Sequence, residues 1–255
     1  MPTSPATPTA EQLPARTAAV WAALDPLVGA GSPLRVLDVG GGSGMFAVPL
    51  ARLGHDVTVV DPSADALATL RRRADTAGVG VRVHGVQGDG DLLHEVLSAT
   101  DDGTGDDGTR GYDLALCHYV LEVVDDPAVT LREIAGALRG GGQVSIATVN
   151  RAGAVLARAL AGHPVEALAL LQDRDPAPGR AKPVRRRFTP DALLALVEGA
   201  DLRPGPWRGV SVVADLLEST SGADPQAVRA LEVALAEASP YRDIATGLHV
   251  LAARP

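Results

Sequence analysis

The chain has 255 residues, 46% of them hydrophobic, enough for one large domain or for a domain with a small appendage. Lys and Arg number 23 against 31 Asp and Glu, and the resulting net charge of −8 argues against a broad nucleic-acid surface. A single cysteine, Cys117, excludes an intramolecular disulfide and points to a reducing, cytoplasmic setting. No apolar run reaches about 18 residues and no basic-then-apolar start is present, so neither a membrane span nor a secretory signal is expected.

In chain order, the Pro/Thr-rich opening "MPTSPATPTA" predicts a mobile tail over 1–12. A helix is expected near 16–28. Short apolar runs at 35–39, 57–60, 81–83, 114–117 and 144–149 read as buried strands. Helical patterns at 45–53, 64–77, 91–98 and 128–138 lie between them, and such alternation predicts an α/β fold with helices on both faces of a parallel sheet. The acidic loop 101–111 lacks calcium-ligand spacing and reads as solvated; no metal site is expected.

After Asn150, two Ala/Leu-rich helical segments, 152–161 and 165–171, lead into the basic stretch "DPAPGRAKPVRRRF". Thr189 then caps a helix with Pro190 in its first position. A strand is expected near 210–213, followed by a helix capped by Asp224 with an apolar stripe of Val228, Leu231, Leu235 and Ala238. "GLHVLAA" reads as a last strand. The organisation implied is a core over 13–150, a helical and basic insertion over 151–188, and a remainder over 189–255 that completes the same fold.

The chemistry concentrates in "RVLDVGGGSG", residues 35–44. No lysine follows Gly44, which disfavours an ATP-phosphate loop. Gly42-Ser43-Gly44-Met45-Phe46-Ala47 satisfies the dinucleotide fingerprint, with Asp61 ending the next strand. The longer pattern, Asp38, Gly40, Gly41, Gly42 and Gly44 as D-x-G-x-G-x-G, resembles the first motif of the class I S-adenosylmethionine-dependent methyltransferases. That cofactor carries an amino-acid tail, for which close backbone approach and a nearby carboxylate are suited.

This resemblance implies a Rossmann-like class I methyltransferase fold: a mostly parallel seven-stranded sheet with an antiparallel C-terminal strand. It places Asp61, with Pro62 after it, against the ribose hydroxyls, and Asp89 with the Gly90 N–H against the adenine; Cys117 and His118 close the cofactor site. S-adenosylhomocysteine would be the product.

The segment "LALCHYVLEVVDDP" narrows the likeness. His118, Val120, Leu121, Glu122, Val124, Asp126 and Pro127 stand where the tRNA 5-carboxymethoxyuridine methyltransferases have His-x-Val-Leu-Glu-x-Val-x-Asp-Pro. "VWAALDPLV", Asn150, the basic run 180–187, and Pro240, Tyr241 and His249 extend the likeness over nearly the whole chain. It departs where the family has Arg-Tyr before its last His-Val, since this chain has Thr246 and Gly247, leaving Arg242 or Arg151 as replacements. Asn150, Arg151, Arg185, Arg186, Arg187, Tyr241 and Arg242 are the candidate acceptor-binding residues.

Methyl transfer from a sulfonium is an in-line displacement, so alignment matters most. A carboxylate acceptor needs no base. A hydroxyl acceptor wants one, and His118 is the candidate, weighed evenly against a packing role, with Tyr119 beside it. Acceptors left open are a wobble-uridine carboxylate on tRNA and a small-molecule hydroxyl or carboxylate. A non-catalytic cofactor-binding module is the alternative of another kind. The basic run reads either as a phosphate-contacting patch or as a solvated lid. No membrane partner is expected, and the pattern leaves the oligomeric state open.

Overall fold

A computed structural model of the chain describes residues 14–98, 111–172, 186–217 and 222–255. The predicted tail, the acidic loop up to residue 110, and the basic run up to Arg185 lie outside the described residues.

The first five strands are β1 (Arg35–Val39), β2 (Asp56–Asp61), β3 (Val83–Gln87), β4 (Tyr112–His118) and β5 (Leu138–Val149). They pair in parallel, and β6 (Arg203–Val210) and β7 (Gly247–Ala253) complete a seven-stranded sheet in the order β3-β2-β1-β4-β5-β7-β6. β7 runs antiparallel to both of its neighbours. The expected Rossmann-like methyltransferase architecture is the one observed.

Alternation along the strands splits the core between two faces. Val36, Val57, Val59, Leu114 and Leu116 pack against α1 (Ala18–Val28), α2 (Ala47–Arg52) and α3 (Ala64–Thr76). Leu37, Val60, Ala115, Cys117 and Ile146 face the other side, with α4 (Leu93–Ser98) and α5 (Pro127–Ala137). Two further helices, α6 (Arg151–Leu160) and α7 (Pro164–Leu171), connect β5 toward α8 (Pro190–Glu198), and α9 (Pro225–Leu235) precedes β7. Thr189 caps α8 and Asp224 caps α9 through their side chains, as their residue types and the following prolines predict. No helix among the described residues is long and apolar enough to cross a membrane.

Three expectations shift. The run at 81–83 is largely a 3-10 turn, Gly80–Arg82, with Val81 exposed, and β3 starts only at Val83. The strand expected near 210–213 instead ends at Val210. Its body contains Pro204 and Pro206, tolerated because β6 is the sheet's edge and its outer N–H groups need no ladder partner. In α9 the stripe is displaced: Leu231 is exposed, and Glu232 is fully buried.

Glu232 has a reason to be inside. Its carboxylate accepts the backbone N–H groups of Val212 (2.9 Å), Val213 (2.7 Å) and Ala214 (2.6 Å). Those donors belong to the turn after β6, where Ser211 takes φ 57. Glu232→Ala leaves them unpaired and is expected to lower unfolding stability by about 3 kcal/mol or more, read by urea denaturation. A loss under about 1 kcal/mol would contradict this account of the turn.

Candidate active site

The C-terminal ends of β1, β2 and β3 stand side by side, because these strands are consecutive neighbours in parallel register. This brings Asp38, Asp61 and Asp89 to one edge of the sheet. In front of them lies a cavity of about 290 Å³, with Val39, Gly40 and Val60 at its base. Asp61, Pro62, Asp89 and Gly90 line one side, and Tyr119, Val120 and Val123 to Asp125 line the other.

The glycine loop is shaped by close approach. Gly40 has φ +67, and a side-chain carbon there would stand 2.5 Å from Val120. At Gly41 such a carbon would lie 2.3 Å from Asp38 Oδ2. Only glycine leaves both the backbone path and the Asp38 carboxylate clear.

Asp38 is 3% exposed and its Oδ2 has no hydrogen-bond partner. Burial, and then the Asp61 charge, push its carboxyl up to about 7. Asp61 braces the loop: Oδ2 accepts the Gly42 N–H at 2.9 Å and Oδ1 accepts that of Ser63 at 2.8 Å. The α3 cap is Ser63, so Asp61 is free of that duty. Asp89 accepts the Asp91 N–H at 3.2 Å in a tight turn, and Gly90 is buried.

Charge decides what such a cavity suits. Asp61, Asp89 and Asp125 line it, Asp38 lies under Gly41, and none of the described lining residues is basic. Three carboxylates along the lining disfavour a pyrophosphate there. A ligand carrying an ammonium and a sulfonium fits, and an unpartnered buried carboxylate oxygen is the group such an ammonium would satisfy.

The strand-four motif has a structural meaning for nearly every residue. Val120 and Leu121 are core, and the buried Glu122 accepts the Val149 N–H. Asp126 caps α5 by accepting the Ala128 N–H at 2.8 Å, with Pro127 in its first turn. Tyr119 sits between them with φ 59, a conformation costly for a non-glycine residue. Partial burial, and then the Glu122 carboxylate, push its phenol up to about 12.

His118 ends β4 with its ring against Phe46 from the glycine loop, centroids 4.5 Å apart. Nε2 stands 2.8 Å from Ser145 Oγ, and burial pushes the ring's pKa down to about 3. The base expected here is a neutral, pinned imidazole.

Several acceptor and cofactor candidates have other employment. Cys117 is fully buried in the core cluster that also holds Val39, Val60 and Val120 of the cavity, with burial raising its thiol well above the ordinary range. Asn150 is 1% exposed; its Nδ2 donates to the Asp243 and Ala245 carbonyls and its Oδ1 caps α6. Arg186 clasps the carbonyls of Val124 and Asp125. Arg242 stacks on Trp207 at 4.3 Å, while Tyr241 is exposed beside it. Arg151 begins α6, and its N–H donates to Phe188 at 2.9 Å. Arg187 is half-buried, with burial and Arg158 lowering its pKa.

Sequence reading missed Asp125 and the pair Arg16–Asp215. Arg16 Nε lies 2.7 Å from Asp215, whose other oxygen accepts the Thr246 hydroxyl at 2.7 Å. Both charges act on Tyr119. The departure at Thr246 was the available signal, but nothing local links residues 16 and 215.

Comparison with known proteins agrees with this geometry. Residues 10–204 match the family described as "Methyltransferase domain". The tRNA 5-carboxymethoxyuridine methyltransferase of Escherichia coli K12 is 30% identical over 250 residues, 94% of this chain and 88% of that protein. The ubiquinone biosynthesis O-methyltransferase of Xanthomonas oryzae is 34% identical over 149 residues, but these are 58% of this chain and 55% of the relative. Among solved structures, magnesium protoporphyrin IX methyltransferase from Synechocystis PCC 6803 with bound SAH shares the fold. Its TM-score is 0.58 at 14% identity, over 94% of this chain and 83% of that one. With its fold, acidic cavity and glycine loop, the chain belongs to the class I S-adenosylmethionine-dependent methyltransferases.

Proposed function

We propose that the enzyme methylates a carboxylate, that of a modified wobble uridine in tRNA, in the cytoplasm. The observation that carries this reading is that neither expected base, His118 nor Tyr119, is suited to the task. His118 is held near 3 and Tyr119 near 12, so neither takes a proton at neutral pH. A carboxylate is already ionised and needs none. The match over 94% of the chain to a tRNA carboxymethoxyuridine enzyme supports the same choice.

In this reading the Asp38 carboxylate orients the cofactor's ammonium, with the backbone of Gly40, Gly41, Gly42 and Gly44 close around the tail. Asp61 accepts the ribose hydroxyls beside Pro62, and Asp89 with the Gly90 N–H holds the adenine. Once bound, the cofactor supplies an electrophilic methyl group on a positive sulfur. The protein's part is alignment and exclusion of water, with His118 and Tyr119 flanking the acceptor. Arg16, fixed by Asp215 next to Tyr119, replaces the cation missing at Thr246.

Arg158, whose guanidinium lies 3.4 Å from Glu166, and the nearby Arg187 put positive charge on the α6 side, where a tRNA phosphate could join them. Affinity for the carboxymethoxyuridine-bearing tRNA is expected to fall steeply with salt, and Arg158→Ala with Arg187→Ala to reduce that slope by about 1 to 2. Arg186 is unsuited to this test, because its guanidinium holds the cavity wall. A flat salt dependence would favour a small-molecule acceptor, the reading the ubiquinone enzyme's likeness supports.

A further inference from the structure

Three polar side chains interrupt the apolar α1 side of the sheet at its centre. His118 ends β4, Ser145 lies within β5 and His249 within β7, and the last two are completely buried. The register sets His118 opposite Ala147 and Ala147 opposite His249, which leaves Ser145 on the diagonal between the two rings. Each imidazole presents Nε2 to the hydroxyl at 2.8 Å.

A hydroxyl owns one hydrogen. Ser145 can donate to one ring only, and must accept from the other. One histidine therefore carries its proton on Nε2 and the other on Nδ1. Burial keeps both rings neutral, with His118 and then Arg208 adding to the effect at His249. Both Nδ1 atoms are shielded from solvent without a protein partner.

Two arrangements remain, and they differ in where an N–H goes unpaired. Buried orphan N–H groups are rarer than under-satisfied acceptors. In His249 that N–H would be sealed inside the sheet. His249 is completely buried, whereas His118 is only partly buried at the end of β4, with its ring against Phe46 and with Tyr119 of the cavity wall next to it in the chain.

We infer that Ser145 and His249 are positioning residues that hold His118 as the neutral Nδ1–H tautomer, a fixed uncharged donor for an anionic oxygen of the methyl acceptor. The relay requires opposite tautomers in the two rings, and the place of the unpaired N–H chooses between them; the assignment of the donated bond rests on the carboxylate reading above. His249 donates from Nε2 to Ser145 Oγ, and Ser145 donates to His118 Nε2. Free histidine prefers the opposite form, with its proton on Nε2, so the relay imposes a state the ring would not choose.

Imidazole nitrogen-15 spectra of the full chain with bound S-adenosylhomocysteine test this. His118 is expected protonated on Nδ1 and His249 on Nε2. In Ser145→Ala, His118 is expected to revert to Nε2–H. Turnover on tRNA carrying the carboxymethoxyuridine should then fall about tenfold, with KM for S-adenosylmethionine unchanged. Ser145→Thr, which keeps the hydroxyl, is expected to restore both. An Nε2–H His118 in the wild type, the same tautomer in both rings, or an unchanged His118 in Ser145→Ala overturns the inference. No wild-type turnover on that tRNA would overturn the acceptor assignment and leave the tautomers standing.

Discussion

Asp38→Asn is expected to weaken S-adenosylhomocysteine binding by about 100-fold at about pH 8, while raising the Tm of the ligand-free protein. Both effects have one cause. The carboxyl sits almost wholly buried with one oxygen unpartnered, and its pKa rises from 3.8 to about 7. Below about pH 4 the group is protonated in folded and unfolded chains alike and costs nothing. Between there and about 7 the unfolded chain ionises first, so stability falls as pH rises. Above about 7 the deficit is constant. Asparagine removes the ionisation, so its stabilising effect should be present at neutral and alkaline pH and absent near pH 4. Binding an ammonium against Asp38 favours the ionised form, so wild-type affinity is expected to climb with pH by at most about tenfold per unit up to about 7, then level. Calorimetry across pH reads this; parallel curves for wild type and Asp38→Asn would contradict it.

Asp61→Ala is expected to cost more, between about 100-fold and 10,000-fold in S-adenosylhomocysteine affinity. Each carboxylate oxygen accepts one backbone N–H and keeps a lone pair for the cavity it lines. Removing it loses two charge-assisted bonds to ligand at about 1.5–3 kcal/mol each, and also releases the Gly42 end of the loop. Asp61→Asn, which offers one acceptor oxygen, should fall between. Affinity within threefold of wild type for the alanine variant would show that the cavity does not hold the ribose.

The cofactor edge was legible because it is local. A parallel sheet places successive strand ends together, so Asp38, Asp61 and Asp89 declare themselves at the ends of β1, β2 and β3. Glu232 was illegible for the opposite reason: helical periodicity assigns its face to Leu231 and Leu235, and only the turn after β6 shows three donors awaiting a carboxylate. β6 was misplaced because Pro204 and Pro206 argue against a strand until its edge position is known. His118 was visible as a candidate, but Ser145 joins it across 27 residues of sequence and His249 joins Ser145 across 104, beyond any local pattern. Asn150 stands after β5 as expected, but its Nδ2 ties β5 to the approach to β7 and its Oδ1 caps α6.

The proposed function rests on one chemical claim, that the acceptor atom is a carboxylate oxygen. Turnover with methyl-labelled S-adenosylmethionine and tRNA carrying the carboxymethoxyuridine, followed by mild alkali, measures it directly. The site predicts label on the tRNA that alkali releases as methanol, the behaviour of an ester. Label that survives alkali, as an ether or a methylated nitrogen would, or no label on that tRNA, would contradict it.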